Sequence, residues 1–338
     1  MTRLLNGRVT AAIWLALGTV YVVWGSTYLA IAVAVRTLPP FLMSSARFLL
    51  AGAVLYAWAR RRGAAAPTTR QWVAATGVGF ALLLVGNGGI AWAEQRVGSG
   101  VAALLVATTP LWLAVLDRIF FGARLSLRAL AGIGAGLVGV AFLVGGGGTI
   151  DVLGSIVILV ASLAWAGGSL GARHTSNPVQ PSLAAGMQML TAGVLLSFAG
   201  LSAGELGRLH VEEISGASLA AFAYLVVVGS LITYTAYTWL LRSPAPAALV
   251  GTYAYVNPIV AVALGALVLS EPFGGRTVFA GLAIVVAVVL SVEKRRRPGS
   301  LAAGIPEPAP NRVGRSVIRD RPVPTLPPLV QLRPPSLA

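Results

Sequence analysis

The chain has 338 residues, 57% of them hydrophobic and only 10% charged, with a mean hydropathy of +0.82. Soluble domains carry about 25% charged residues, so the composition excludes a water-soluble globular fold and leaves a membrane protein. Cysteine is absent, which excludes disulfides and zinc–cysteine sites.

Apolar runs of roughly 18 residues or more read as transmembrane helices. Ten are predicted, at 11–35, 41–59, 71–92, 98–117, 128–145, 152–172, 181–201, 218–241, 246–268 and 275–292. The first carries Trp24, Ser26, Thr27 and Tyr28. A cleaved signal peptide is not expected, because the apolar run before Ala30-Ile31-Ala32 is too long for one. The second span holds an arginine, Arg47, in "MSSARFLLAG". An arginine at a helix centre costs roughly 2.5–3.5 kcal/mol on insertion scales, while each Leu, Val, Ile or Phe returns about 0.3–0.6 kcal/mol. The span therefore still inserts. Ser44, Arg47 and Ala51 share one helical face, which is expected to turn away from lipid toward a cavity, where Arg47 binds an anionic group or pairs with helix-end carbonyls.

The third span contains "VGNGGIAWAEQ". Gly86, Gly88 and Gly89 weaken a helix, Asn87 needs a partner, and Trp92 and Glu94 lie toward the outer end, with Glu94 expected to meet water. The fourth span carries Pro110 near its middle; the ninth carries Tyr253, Tyr255 and Asn257 just before Pro258. A mid-helix proline frees the carbonyl four residues back, here Val106 and Ala254. Hydrocarbon cannot satisfy such a carbonyl, so each is expected to face protein or a water-filled cavity. Gly132 and Gly136, and Gly167 and Gly171, form small-xxx-small faces suited to close helix packing. Beyond Lys294, ten of the twenty prolines fall in the last 41 residues, so 294–338 reads as a disordered cytoplasmic tail.

With the N-terminus placed inside, the cytoplasmic segments hold fifteen Lys and Arg up to and including Arg297, and the outer loops hold four: Arg36, Arg96, Arg208 and Arg276. The positive-inside rule therefore places both termini in the cytoplasm. It also accounts for the net charge of +15 without a nucleic-acid partner.

The chain also resembles itself. "TTPLWLAVLDRIFFGARLSLRALAG" lines up with "VNPIVAVALGALVLSEPFGGRTVFAG", bringing Pro110 onto Pro258, Gly122 onto Ser270 and Arg128 onto Arg276; upstream, Trp24 matches Trp165. Each copy, 11–145 and 152–292, holds five spans. Five is odd, so the second copy enters the membrane from the opposite side. The expected fold is thus all-α, ten transmembrane helices as two five-helix inverted-topology repeats, an arrangement typical of secondary transporters. Arg47 has no arginine counterpart in the second copy, where Gln188 takes its place.

These segments, with "VYVVWGSTYLAIAVAVRTLPPFLMSSARFLLAG" and "YAYVNPIVAVALGALVLSEPFGG", resemble the EamA family of the drug/metabolite transporter superfamily over residues 11–292. The resemblance implies export of small organic metabolites or drugs, and an arginine at this point of the second helix is usual in that family. A Glu follows the fourth helix of each repeat in the family; here the second copy keeps Glu271 and the first has Ala123.

The candidate substrate-binding residues are Arg47, Trp24, Ser26, Tyr28, Asn87, Trp92, Tyr253, Tyr255 and Asn257, with Pro110 and Pro258 as kink or gating positions. Aromatics with a polar tip suit partly apolar organic solutes, amino acids and related carboxylates among them. The expected partners are such a small molecule, the lipid bilayer of the cell membrane, and the proton as candidate coupling ion, with Glu94 and Asp117 the acidic residues near span ends in the first half. ATP hydrolysis is not expected, since no GxxxxGK[ST] sequence is present. A lipid-handling membrane protein and a non-transporting receptor or scaffold are the alternatives. Matched helix interruptions argue against a scaffold, and His174 and His210 fall on opposite sides of the membrane, away from any metal cluster.

Overall fold

The computed structural model describes residues 2–122, 151–175, 180–245 and 252–270, with Val250 and scattered positions within 127–139 and 274–286. The described elements are helical: α1 (Thr2–Ala34), α2 (Pro40–Arg61), α3 (Thr69–Ala93), α4 (Ser99–Val106), α5 (Thr109–Phe121), α6 (Val152–His174), α7 (Pro181–Ser202), α8 (Gly216–Leu240) and α9 (Tyr253–Leu269). Among the described residues seven helical stretches are long and apolar enough to cross a membrane, and Val256–Leu269 is a shorter apolar helix. The fifth and tenth predicted spans, 128–145 and 275–292, and the tail 294–338 lie largely or wholly outside the described residues.

Local chemistry sets the helix ends. Pro40 and Pro181 open α2 and α7 at positions where a missing N–H costs nothing. Thr68 and Gln71 form a reciprocal capping box at the start of α3, with bonds of 3.3 and 2.9 Å. Asp151 caps α6 by accepting from the Gly154 amide at 2.5 Å, and its other oxygen lies 3.9 Å from Arg96. Ser215 caps α8 through the Ser218 amide at 3.0 Å. At the opposite ends, α5 closes on Gly122 with φ of 65° and α9 on Ser270 with φ of 54°. These positions match in the two copies, so one left-handed cap is built from glycine in one and serine in the other.

The packing repeats as the sequence does. The second span of one copy lies on the second span of the other, α2 on α7. Helix α1 packs on α9, and correspondingly α6 packs on α4 and α5; α3 packs on α6, and correspondingly α8 packs on α1. Both α3 and α8 change from α to π winding midway, at Phe80–Gly88 and Leu225–Tyr234. A π segment carries an extra residue per turn and is concentrated at functional sites. The glycines of the third span thus do more than weaken a helix: they sit in or beside a wider turn that recurs in α8, whose π segment carries the single glycine Gly229.

Close approach falls elsewhere than at the Gly167–Gly171 face expected from sequence, and Gly136 of the other expected face, Gly132–Gly136, lies outside the described residues. Nothing lies within 4 Å of a Cβ built on Gly171, and Gly167 would meet only a Leu116 methyl at 3.8 Å. One tight seam is α2–α7, where a Cβ on Gly52 would stand 2.9 Å from the Leu190 amide nitrogen and one on Gly186 2.8 Å from the Tyr56 amide nitrogen. In a bilayer such backbone contact, rather than apolar burial, holds helices together. The seam is closed at its end by Glu205, fully buried in the 3₁₀ turn Glu205–Arg208. Its carboxylate accepts from the amides of Phe41 and Leu42 at 3.2 and 2.8 Å, capping the first turn of α2. Glu94, expected to meet water, is instead buried, at 7% exposure.

Candidate functional site

The fourth predicted span is two helices. Winding stops after Val106, turns at Ala107 and Thr108, and restarts at Thr109, so Pro110 occupies the second position of α5, where its missing N–H is tolerated. The carbonyls exposed by the break are taken up locally: Thr108 Oγ1 donates to Leu105 O and Thr109 Oγ1 to Val106 O, both at 2.6 Å. Pro258, by contrast, lies inside α9 and deprives the Ala254 carbonyl of its helical donor. Val106 and Ala254 both border a cavity.

That cavity holds about 610 Å³ of atom-free space, part of it continuous with an open mouth. Helices of both copies line it: Trp24, Thr27, Tyr28 and Ile31 from α1, Arg47 from α2, Asn87 and Ile90 from α3, Trp165 from α6, and Tyr253, Ala254, Asn257 and Pro258 from α9. One wall is aromatic. Trp24 meets Trp165 edge-on at 5.5 Å between centroids and Tyr253 at 5.3 Å, and Tyr237 closes the group at 4.7 Å from Trp24. Edge-to-face contacts fix the rings and leave electron-rich faces suited to a cation. Asn257, with its amide nitrogen toward two carbonyls, donates to Tyr21 O at 3.0 Å and Tyr253 O at 3.1 Å, which anchors α9 to α1 beside the wall.

The cavity's charge is Arg47. It is 3% exposed; its Nε donates to Ser230 Oγ at 2.7 Å and its Nη1 to Asn87 Oδ1 at 3.2 Å, with the guanidinium 4.9 Å from the Phe48 ring centre. Among the described residues it makes no ion pair. A guanidinium has five N–H donors, so polar capacity is left for a ligand. Gln188, its counterpart on α7, accepts instead from the Tyr234 hydroxyl at 2.7 Å, and does not line the cavity.

Of the other residues singled out from sequence, Ser26 turns from the cavity and bonds the Tyr224 hydroxyl at 2.6 Å. Trp92 stacks under Arg96, 4.7 Å from its guanidinium, outside the lining. Pro110 sits beside the lining residue Thr109 without lining it. The side chain of Tyr255 lies outside the described residues. Sequence reasoning missed Ser230 as the partner of Arg47. A signal existed: Val85-Gly86-Asn87 and Val228-Gly229-Ser230 are the same three-residue stretch in the two copies.

Two halves that repeat each other's packing around a cavity with one buried cation define a membrane transporter architecture. The chain belongs to the EamA-like transporter family, whose model matches residues 10–145 and again 152–292. It is 40% identical over 277 residues to the uncharacterized inner membrane transporter YedA of Escherichia coli (strain K12), covering 81% of this chain and 89% of that one. It is 27% identical over 276 residues to a probable terminal-alkyne amino-acid exporter of Streptantibioticus cattleyicolor, covering 72% of this chain and 90% of the relative. A crystal structure at 19% identity superimposes with a TM-score of 0.57, covering 84% of this chain and 97% of the other, which supports the fold.

Proposed function

We propose that this chain is a secondary exporter of amino acids or closely related zwitterionic carboxylates, working by alternating access of its two inverted repeats in the cytoplasmic membrane with both termini inside. The observation that carries the reading is the buried Arg47 guanidinium, which faces the cavity without an ion-pair partner among the described residues. A ligand carboxylate would complete it through charge-assisted hydrogen bonds. The aromatic wall supplies the other half of a zwitterion site, where an ammonium or apolar side chain rests against Trp24, Trp165 and Tyr253. The relative described as a probable terminal-alkyne amino-acid exporter supports the class and the direction. A proton gradient is the proposed drive, with the buried Glu94 carboxylate as its carrier.

The test is counterflow in proteoliposomes, with L-leucine, L-phenylalanine and L-tryptophan set against their carboxamides. Wild-type protein should exchange the acids and not the amides, and Arg47→Gln should lose the acids while remaining monodisperse in detergent. Equal exchange of acids and amides, or undiminished exchange by Arg47→Gln, would overturn the reading. Glu94→Gln should abolish stimulation by an imposed pH gradient and retain counterflow.

A further inference from the structure

Arg47 touches two groups besides its ring neighbour, and they are each other's repeat counterparts. Asn87 belongs to the π segment of α3 and Ser230 to the π segment of α8, at the same place in the stretches Val85-Gly86-Asn87 and Val228-Gly229-Ser230. A single guanidinium from the first copy therefore ties together the two wide turns, one from each half of the molecule. The glycines beside them make the room. A Cβ on Gly229 would stand 3.1 Å from Arg47 Nη2 and 3.2 Å from the Thr27 methyl, while one on Gly86 would stand 3.0 Å from the Trp165 ring. Each π segment thus carries a polar side chain toward Arg47 and receives, on its glycine, a cavity-lining residue of the first helix of the other copy.

We infer that Arg47 is a latch: its bonds to Ser230 and Asn87 hold the two π segments together while the cavity is empty, and a substrate carboxylate releases α8 by taking the Nε–H from Ser230. This rests on the substrate reading above and deepens it. A carboxylate accepts two parallel bonds from a guanidinium edge, and a charged acceptor outcompetes a serine hydroxyl. Capture of the anion and release of the repeat interface are then one event. Because a ligand shifts a conformational equilibrium only through its differential affinity for the two states, the competition for one donor is what lets an anion, and not a neutral analogue, drive the change. The second copy has no such device among the described residues. Gln188 bonds Tyr234 of its own copy, so the latch operates from one side only.

Ser230→Ala separates a latch from a scaffold. If Ser230 competes with substrate, its removal destabilises only the empty state, and leucine, phenylalanine or tryptophan should bind roughly three- to tenfold more tightly, the equivalent of one net hydrogen bond. If Ser230 merely positions Arg47, the same variant binds more weakly. A second readout needs no ligand. The chain lacks cysteine, so spin labels at Phe80→Cys and Val227→Cys, both about half exposed on the two π segments, report the separation of α3 and α8. Ligand-free Ser230→Ala should already populate the distances that the three amino acids induce in the Ser230 protein, and the carboxamides should induce none. Weaker or unchanged binding by Ser230→Ala, or label distances that do not respond to it, would overturn the latch and leave the substrate reading standing. Failure of all three acids to bind, or binding that survives in Arg47→Gln, would overturn the substrate reading and the latch together.

Discussion

Gly186→Ala tests whether the two repeats are joined by backbone contact. Helices α2 and α7 meet so closely that the added methyl would stand 2.8 Å from the Tyr56 amide nitrogen and 3.1 Å from the Gly52 carbonyl oxygen. Carbon atoms rest at about 3.5–4.0 Å from their neighbours, so the helices must separate by roughly 0.5–1 Å at this point. No side-chain rotation relieves the clash, since both obstacles are backbone. Overpacking of this kind costs about 1–3 kcal/mol, occasionally more, and the displacement also loosens the adjoining contacts of Gly52 with Met189 and of Gly193 with Leu49. Gly77→Ala is the control: it lies in α3 with nothing within 4 Å of its added methyl, and alanine is the better helix former by about 1 kcal/mol. The assay is thermal unfolding of the detergent-solubilised protein followed by loss of the monodisperse chromatographic peak. At roughly 2 °C for each kcal/mol, Gly186→Ala should melt about 2–6 °C below wild type and Gly77→Ala at or above it. If the two variants melt together, the seam is not a close contact and the argument for how the halves are joined is wrong.

Glu205→Ala removes the buried acceptor of the Phe41 and Leu42 amides; it should lower stability by about 1–3 kcal/mol, with hydrogen exchange quickening first at the start of α2. Ser270→Gly relieves the only non-glycine positive φ among the described residues and should stabilise by about 0.5–1 kcal/mol, whereas Gly122→Ala at the matching cap should destabilise; thermal unfolding ranks the pair. Single cysteines at Gly63 and Gly207, on a background with none, test the orientation: in intact cells an impermeant maleimide should label Gly207→Cys and spare Gly63→Cys, and the reverse pattern would invert the topology.

Much of the site was legible because bilayers make polarity conspicuous. Arg47, Asn87 and Asn257 stand out in apolar runs, and a membrane span tolerates them only where another group meets them. The duplication was legible for a similar reason: prolines matched across two copies are rare enough to mark themselves. What failed to be legible was contact. Ser26 and Thr27 are adjacent on α1, yet one bonds Tyr224 and the other lines the cavity, because a 100° step around a helix decides which neighbour a side chain meets. Trp92 resembles Trp24 in composition and lies against Arg96 instead.

The sequence by itself determined that the chain is an all-helical membrane protein built twice, since hydropathy, charge bias and repeat parity are properties of the chain taken segment by segment. Only the tertiary structure decided that the fourth span breaks at Ala107 and Thr108, that α2 meets α7 through Gly52 and Gly186, and that one arginine joins Asn87 to a serine 143 positions further on. Those are properties of which helix faces which. In a bilayer that choice rests on close backbone approach and on the pairing of buried polar groups, and neither is set by any one helix alone.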